Sequence, residues 1–489
     1  MTRASIASFP KFNPLAAIAL AALLLVSYYL LVSASLFSVG FPLDDAWIHL
    51  TYARNFAEYG EWAFRLGERS AGSTAPLWTF LLSLGYVLHL APYLWTFFLG
   101  WLTLTLLGIS AEIAARKFLL SYRSRIPEVG LFFVAAWHLT WSAVSGMETL
   151  LHGALIFIVL AALSAGSRRY LMLGALAGLS VWTRPDGVTL LGPLLLTVLL
   201  TAKSWRVRGV GILKIGLGFG ALFLFYLLFN LALSGHPLPN TFYAKQAEYG
   251  SFWMSRTLEE RIGDYLLPIF ASPFLILAPG TLLWLKKTVA ARNWGALMGL
   301  AWCIGYIAIY FMRLPAYQHG RYIIPALPIL YFWGAMGFIE FTHRVGAHKR
   351  IVLLWRSLLI VACAAFTFIG AQQNARDVYW IENEMVATAK WAARNLPPEA
   401  TFAVHDIGAM GYFTDNPLLD LAGLINPEVI PFIRDEAQLA TYLDAHSVDY
   451  LIALPSFYPD LTSGREAIFK SGDGNDSPFG ERMVIYRWR

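Results

Sequence analysis

Long apolar runs separated by short polar breaks dominate the first three quarters of the chain. A helix needs about 20 apolar residues to cross the hydrocarbon of a bilayer. Twelve runs approach that length, at 14–37, 75–91, 93–113, 128–144, 149–166, 170–184, 186–201, 209–233, 264–284, 294–312, 322–341 and 352–370. After residue 370 the pattern shortens. A helical period appears at 383–395 and again at 436–446, and strand-like stretches at 401–405, 418–423, 449–454 and 482–488. The pattern predicts a polytopic α-helical membrane domain over 1–370 and a soluble α/β domain over 371–489.

Charge decides which runs cross. Basic groups stand at Arg116/Lys117/Arg123/Arg125, Arg168/Arg169, Lys203/Arg206/Arg208, Lys286/Lys287/Arg292 and His343/Arg344/Lys349/Arg350. A positive-inside bias assigns all of them to the cytoplasm, which twelve crossings cannot satisfy. The economical solution lays 75–91 along the outer interface, where Trp78 and Tyr86 are at home. About eleven crossings remain, with the N-terminus cytoplasmic and the C-terminal domain extracytoplasmic. The first outer loop and interfacial helix then occupy 38–91. A cleaved signal peptide is the alternative for the first run, because Ser33-Ala34-Ser35 offers small residues; its length favours an anchor.

Composition agrees with that reading. Of 489 residues, 57% are hydrophobic and 14% charged, with mean hydropathy +0.54, outside the range of soluble domains. The formal charge of +6 comes from basic groups clustered between apolar runs, a mark of sidedness rather than of nucleic-acid binding. Cys303 and Cys363 lie inside apolar runs far apart and give no basis for a disulfide framework or a zinc site.

With sidedness set, nearly all the unusual polar residues face outward. The first outer loop carries Asp44, Asp45, His49 and Arg54, "SGMET" carries Glu148, and "TRPDG" carries Arg184 and Asp186. "HPLPNTFYAKQ" adds His236, Tyr243 and Lys245, "YQHGRY" adds His319 and Arg321, and "HDIGAMGY" adds Asp406. Charges near the hydrocarbon boundary are costly unless paired or hydrated, so their gathering on one side predicts a shared polar cavity. Local roles compete: Asp44 and Asp406 also suit helix N-caps, and Pro-Asp-Gly suits a turn at Asp186.

Acids and bases around such a cavity fit two chemistries. In glycosyl transfer a carboxylate takes the acceptor hydroxyl's proton, while cations or a metal stabilise the departing phosphate. A divalent cation, Mg or Mn, would then fall to Asp44 and Asp45. Proton-coupled transport of a lipid-linked glycan is the second, with charges near the midplane and repeat symmetry as its signs. Neither sign is visible. A catalytically silent glycan- or lipid-binding protein is the third possibility.

The ordered motifs carry a resemblance. "LDDAWIHLTYARNFAEYGEW" followed by "AGSTAPLWTFLLSL" resembles the first outer loop and interfacial helix of GT-C glycosyltransferases. It is most similar to the branch with the mycobacterial terminal arabinofuranosyltransferases, where a D-D-A/S-x-I segment precedes T-S-P-L-W. "SGMETLLHGAL", "TRPDG", "LPNTFYAKQ", "HGRYIIPALPILY" and "HDIGAMGYF...LLDLAGLINP" follow in the same order. Ala71 and Ser73 stand where that branch carries an acid and an aromatic.

The resemblance implies a multi-pass enzyme of the plasma (inner) membrane. Such an enzyme moves a sugar from a polyprenyl-phosphate donor to a glycan, lipid or protein acceptor on the outer face. Residue by residue, it implies that Asp44 and Asp45 are the acidic pair, one of them an inverting general base. Glu148 becomes the acid of the second outer loop, and Lys245 and Arg321 hold the donor phosphate. His49, Arg54, Arg184, Asp186, Tyr243, His319 and Asp406 complete the expected substrate-binding set.

Overall fold

A computed structural model describes residues 13–119, 122, 124–344, 349–472 and 481–489. Residues 1–12 and Arg123, which enter the sidedness expectation, lie outside the described residues, as do the side chains of His343 and Arg344.

Six helices among the described residues are long and apolar enough to cross a bilayer: Pro14–Leu36, Pro92–Phe118, Trp205–Ser234, Trp294–Arg313, Tyr317–Thr342 and Lys349–Asn395. Leu258–Phe270 and Phe274–Ala290 form a bent pair meeting at 91°. The other expected crossings are filled by shorter pieces. Thr149–Ser164, Tyr170–Thr183 and Pro185–Thr201 are three of them. The fourth, the run 128–144, is split into Glu128–Ala135 and Trp137–Val144 by the extended backbone of Ala136. The 75–91 run holds a 12-residue helix, Pro76–Val87, too short at about 1.5 Å per residue to span. The chain is a multi-pass membrane protein.

Local chemistry explains the breaks. Pro185 disfavours helical backbone at the preceding residue, so Arg184 is extended (φ −158, ψ 140) and Tyr170–Thr183 stops there. The chain restarts as the 3-10 turn Pro185–Leu190, which leaves Arg184 and Asp186 at a helix break. Tight helix pairs rest on glycine. A Cβ on Gly174 would meet the Ile215 carbonyl, and one on Gly218 the Leu171 carbonyl, so Tyr170–Thr183 and Trp205–Ser234 pack backbone to backbone. Trp205–Ser234 also exposes Leu213, Leu217, Leu224 and Phe225, as a lipid-facing helix does.

Residue 370 is not a break in the chain. Lys349–Trp380 continues through a π-helical turn, Ile381–Val386, into Ala387–Asn395, so the last span runs straight into the C-terminal domain. A small hairpin pairs β1 (Ala63–Arg65) with β2 (Glu68–Arg69) in the first loop. The C-terminal domain is built on β3 (Phe402–Val404), β4 (Leu418–Asp420), β5 (Tyr450–Ala453), β6 (Ala467–Lys470) and β7 (Val484–Arg487). Their order is β4-β3-β5-β7-β6, parallel across β4-β3-β5 and antiparallel across β5-β7-β6.

The period of two along these strands joins the domain to the bundle. Phe402, Val404, Ile452 and Ile485 belong to the same buried core as the membrane helices. Ala403, Leu451, Ala453 and Val484 face the other way and pack with Leu439 and Leu443 of the Glu436–Ala445 helix. A sheet buried on both faces is therefore fused by one face to the bundle.

Candidate active site

Asp44 and Asp45 begin the helix Asp45–Tyr59, and their side chains part company at once. Asp44 occupies the N-cap position but makes no local capping bond. Its carboxylate instead accepts the amide N–H groups of Gly408 (2.7 Å) and Ala409 (2.8 Å), in the first turn of the helix Ile407–Phe413. Asp406, the N-cap of that second helix, makes no capping bond either. Asp44 thus caps a helix of the C-terminal domain and latches the first loop to it. A Cβ on Gly408 would run into Asp44, so only glycine admits the contact. Burial and the nearby Asp406 push the Asp44 carboxyl up to about 8 against the pull of the two amides.

Asp45 faces charge instead. Its Oδ2 accepts from Arg321 Nη2 (2.8 Å) and lies 3.4 Å from Lys245 Nζ. Burial alone would raise its pKa, but Lys245 and Arg321 hold the carboxyl well below the usual carboxylate range. The Tyr322 ring lies under Lys245 (5.9 Å), Arg321 (5.2 Å) and Arg184 (5.5 Å), a platform for three cations. Arg321 is 6% exposed, and among the described residues its Nη1 has no hydrogen-bond partner.

Asp45, Lys245, Arg321 and Tyr322 line a chamber of about 110 Å³ that shares walls with a cavity of about 820 Å³. The large cavity lies between the loop end of the bundle and the C-terminal domain. Asn240–Ser255 contributes Glu248, Tyr249 and Phe252 to it, and the sheet domain His405, Asp406, Arg434 and Tyr458. His405 Nε2 lies 3.1 Å from Glu248 Oε1, and its Nδ1 is 2.7 Å from the Tyr458 hydroxyl. Arg434 donates twice to the Glu248 carbonyl, at 2.9 and 2.7 Å. Burial would lower the His405 pKa, yet the Glu248 carboxylate raises it to about 9.

His319 also lines the cavity, 2.7 Å from Asp377 Oδ2 through Nε2. It follows Gln318 in a left-handed stretch (φ 60 and φ 49), a backbone that costs a non-glycine residue about 1–3 kcal/mol and gathers at functional sites.

A second charged cluster lies away from the cavity lining. Glu148 accepts from Arg184 Nη1 (3.0 Å) and faces His49 Nε2 at 3.4 Å. His49 Nδ1 meets the hydroxyls of Ser73 (3.2 Å) and Thr79 (3.1 Å). Asp186 accepts from the hydroxyls of Tyr306 (2.5 Å) and Tyr310 (2.6 Å) and faces His152 Nε2 at 3.4 Å. Two expected site residues lie elsewhere. Arg54 donates to the Tyr412 carbonyl (2.9 Å) and stacks on its ring, and Tyr243 packs beside His236.

Comparisons with known proteins agree with this architecture. Residues 371–485 match a family described as Domain of unknown function (DUF8728). Over 234 residues the chain is 30% identical to the terminal β-(1→2)-arabinofuranosyltransferase of Mycobacterium tuberculosis (strain ATCC 25618 / H37Rv), covering 43% of this chain and 35% of that protein. The chain thus spans about a third of the length of that curated relative. ArnT from Cupriavidus metallidurans bound to undecaprenyl phosphate superposes with TM-score 0.61 at 15% identity, over 98% of this chain and 99% of that one. The apo oligosaccharyltransferase of Archaeoglobus fulgidus superposes with TM-score 0.61 at 10% identity, over 91% and 70%. The chain has the GT-C fold.

Within this GT-C fold, sequence reading passed over Glu248, Asp377, Gln373, His405 and Arg434, all of which line the cavity. One signal was present for Glu248, which stands three residues after Lys245 on one helix and shares its face. His405 stands directly before Asp406. Asp377 carried no signal, because it falls in a helix that continues a span.

A divalent cation at the acidic pair would have to compete with contacts that the pair already makes. Each Asp44 oxygen accepts one amide, and Asp45 Oδ2 is flanked by two cations. Among the described residues no group of three or more His, Cys, Asp or Glu side chains is placed to hold a metal.

Proposed function

We propose that this protein transfers a sugar from a polyprenyl-phosphate donor to a hydroxyl of a cell-envelope glycan, lipid or protein, with inversion, on the outer face of the plasma membrane. One observation carries the reading. A buried Arg321, its Nη1 without a hydrogen-bond partner among the described residues, shares Asp45 with Lys245 at the loop end of a membrane bundle. A guanidinium beside an ammonium is the chemistry that holds a phosphate, and at this depth that phosphate can keep its prenyl chain in lipid. The likeness to ArnT bound to undecaprenyl phosphate supports the same donor class.

The ion pairs make Asp45 a conditional base. While Lys245 and Arg321 face it, its carboxyl holds a proton poorly. A phosphate that takes up those cations lifts their hold, and Asp45 becomes basic enough to accept the acceptor hydroxyl's proton. The acceptor oxygen then bonds to the anomeric carbon as the bond from that carbon to the phosphate oxygen breaks. The electron pair leaves on the phosphate, where Arg321 and Lys245 stabilise it. Asp44 keeps Asp45 in register with the C-terminal domain. The positive-inside bias puts this end outside the cell, with the C-terminal domain extracytoplasmic.

Release of polyprenyl phosphate by the purified protein in lipid tests the proposal, using a panel of polyprenyl-phosphate sugars with host-envelope extract as acceptor. Release should require extract and fall about 10²–10⁴-fold in Asp45→Asn, while undecaprenyl phosphate still binds. Binding without release from any donor would show a silent binding protein instead.

A further inference from the structure

Three polar side chains on the cavity wall beside the Arg321 chamber have no part in the mechanism above. Asp377 organises them. Its Oδ2 accepts from His319 Nε2 (2.7 Å) and from Trp141 Nε1 (3.1 Å), and its Oδ1 accepts from Gln373 Nε2 (3.1 Å). A carboxylate only accepts, so it selects the donor edge of each neighbour. In its neutral form His319 is held with its proton on Nε2, which leaves Nδ1 a lone-pair acceptor. Gln373 is held by its amide N–H, which leaves Oε1 an acceptor as well. Neither His319 Nδ1 nor Gln373 Oε1 has a hydrogen-bond partner among the described residues, and both residues line the 820 Å³ cavity. Trp137 and Trp141 fix the His319 ring at centroid distances of 5.6 and 5.1 Å.

Two oriented acceptors beside an indole suit a ligand that donates hydroxyl hydrogens and carries no negative charge. A phosphate or carboxylate would meet lone pairs and be rejected. Position narrows the ligand further. His319 is two residues from Arg321, at most about 7 Å between Cα atoms, so one short stretch of chain feeds the two volumes that share walls. Resting on the donor reading above, we infer that His319 and Gln373, set by Asp377, form the subsite that reads hydroxyls of the donor's neutral sugar. They act on specificity, and Asp377 is a positioning residue.

The experiment measures affinity of the full-length protein in nanodiscs for undecaprenyl phosphate and for undecaprenyl phosphates carrying mannose, glucose, galactose or arabinose. The native protein should bind one sugar-bearing lipid about tenfold tighter than the bare phosphate. Gln373→Leu removes one acceptor at the cavity wall, and Asp377→Asn frees both neighbours to reorient. Each should erase most of that ratio and leave bare-phosphate affinity within about twofold. Bare-phosphate affinity also reports that each variant is folded. A ratio unchanged in Gln373→Leu, or no sugar-bearing lipid preferred by the native protein, overturns the subsite alone. If undecaprenyl phosphate fails to bind the native protein, the donor reading itself falls, and the subsite with it.

Discussion

The protein holds two charged clusters of similar make-up, and they differ in what completes them. Around Glu148, Arg184 and Asp186 every carboxylate is met by protein groups: a guanidinium, two imidazoles and two tyrosine hydroxyls, all away from the cavity lining. Around Asp45 the arrangement is open. Two cations share one carboxylate oxygen, and the group faces open volume. Sequence motifs marked both clusters equally. Both clusters keep buried polar atoms without a hydrogen-bond partner among the described residues, Arg321 Nη1 in one and Arg184 Nε and Asp186 Oδ1 in the other, so open volume separates them: a charged group enclosed by protein supports the fold, whereas one that faces a cavity can meet a ligand.

Substitution can break that contrast. The largest stability effect belongs to Glu148→Gln, which leaves Arg184 buried with a weakened partner and should cost about 3–5 kcal/mol in denaturant unfolding. Binding of undecaprenyl phosphate by the folded fraction should persist. If stability stays native and sugar release disappears, the inner cluster touches substrate and the contrast fails.

Next is the seam between bundle and C-terminal domain, where the effect depends on pH. His405 has a folded pKa of about 9 against 6.5 when unfolded. Its contribution is fully present below 6.5 and is lost as pH rises through 9. Glu248 is shifted the other way; burial opposes this, but His405 holds it below its usual 4.5. Its share is present above 4.5 and is lost as pH falls through the depressed folded value. His405→Gln should therefore cost at most about 3 kcal/mol near pH 6 and almost nothing above 9. Hydrogen exchange in β3 and β5 across that range reads the loss, and a pH-independent cost would rule out the Glu248 pair as its source.

The smallest effect sharpens the division between neighbours. Asp44→Asn keeps one amide bond and sets its own N–H₂ against the other amide, a cost of about 1–3 kcal/mol. Gly408→Ala strains the same contact from the opposite side. Both should lower stability and sugar release together. Release abolished in Asp44→Asn at native stability would make Asp44 the base and reverse the assignment.

Legibility followed the range of the forces involved. Apolar run length marked the spans, because crossing hydrocarbon is a demand on each segment separately. The splits at Ala136 and before Pro185 were harder to see, since composition does not change there and backbone torsion does. In the site, Asp45, Lys245 and Arg321 stood out as charges at the ends of apolar runs. Glu248, Asp377 and His405 did not, as each lies in a stretch that reads equally well as plain helix or strand end.

The chain by itself determined that this is a multi-pass membrane protein with an α/β domain and an acidic pair after its first span. Hydropathy and local pattern are properties of contiguous residues. Only the tertiary structure decided what each member of the pair does. Asp44 and Asp45 are chemically identical neighbours, and their difference comes from Gly408 and Ala409 on one side and Lys245 and Arg321 on the other. A carboxylate's pKa and task depend on the charges and donors within a few ångströms, and folding brings these from hundreds of residues away.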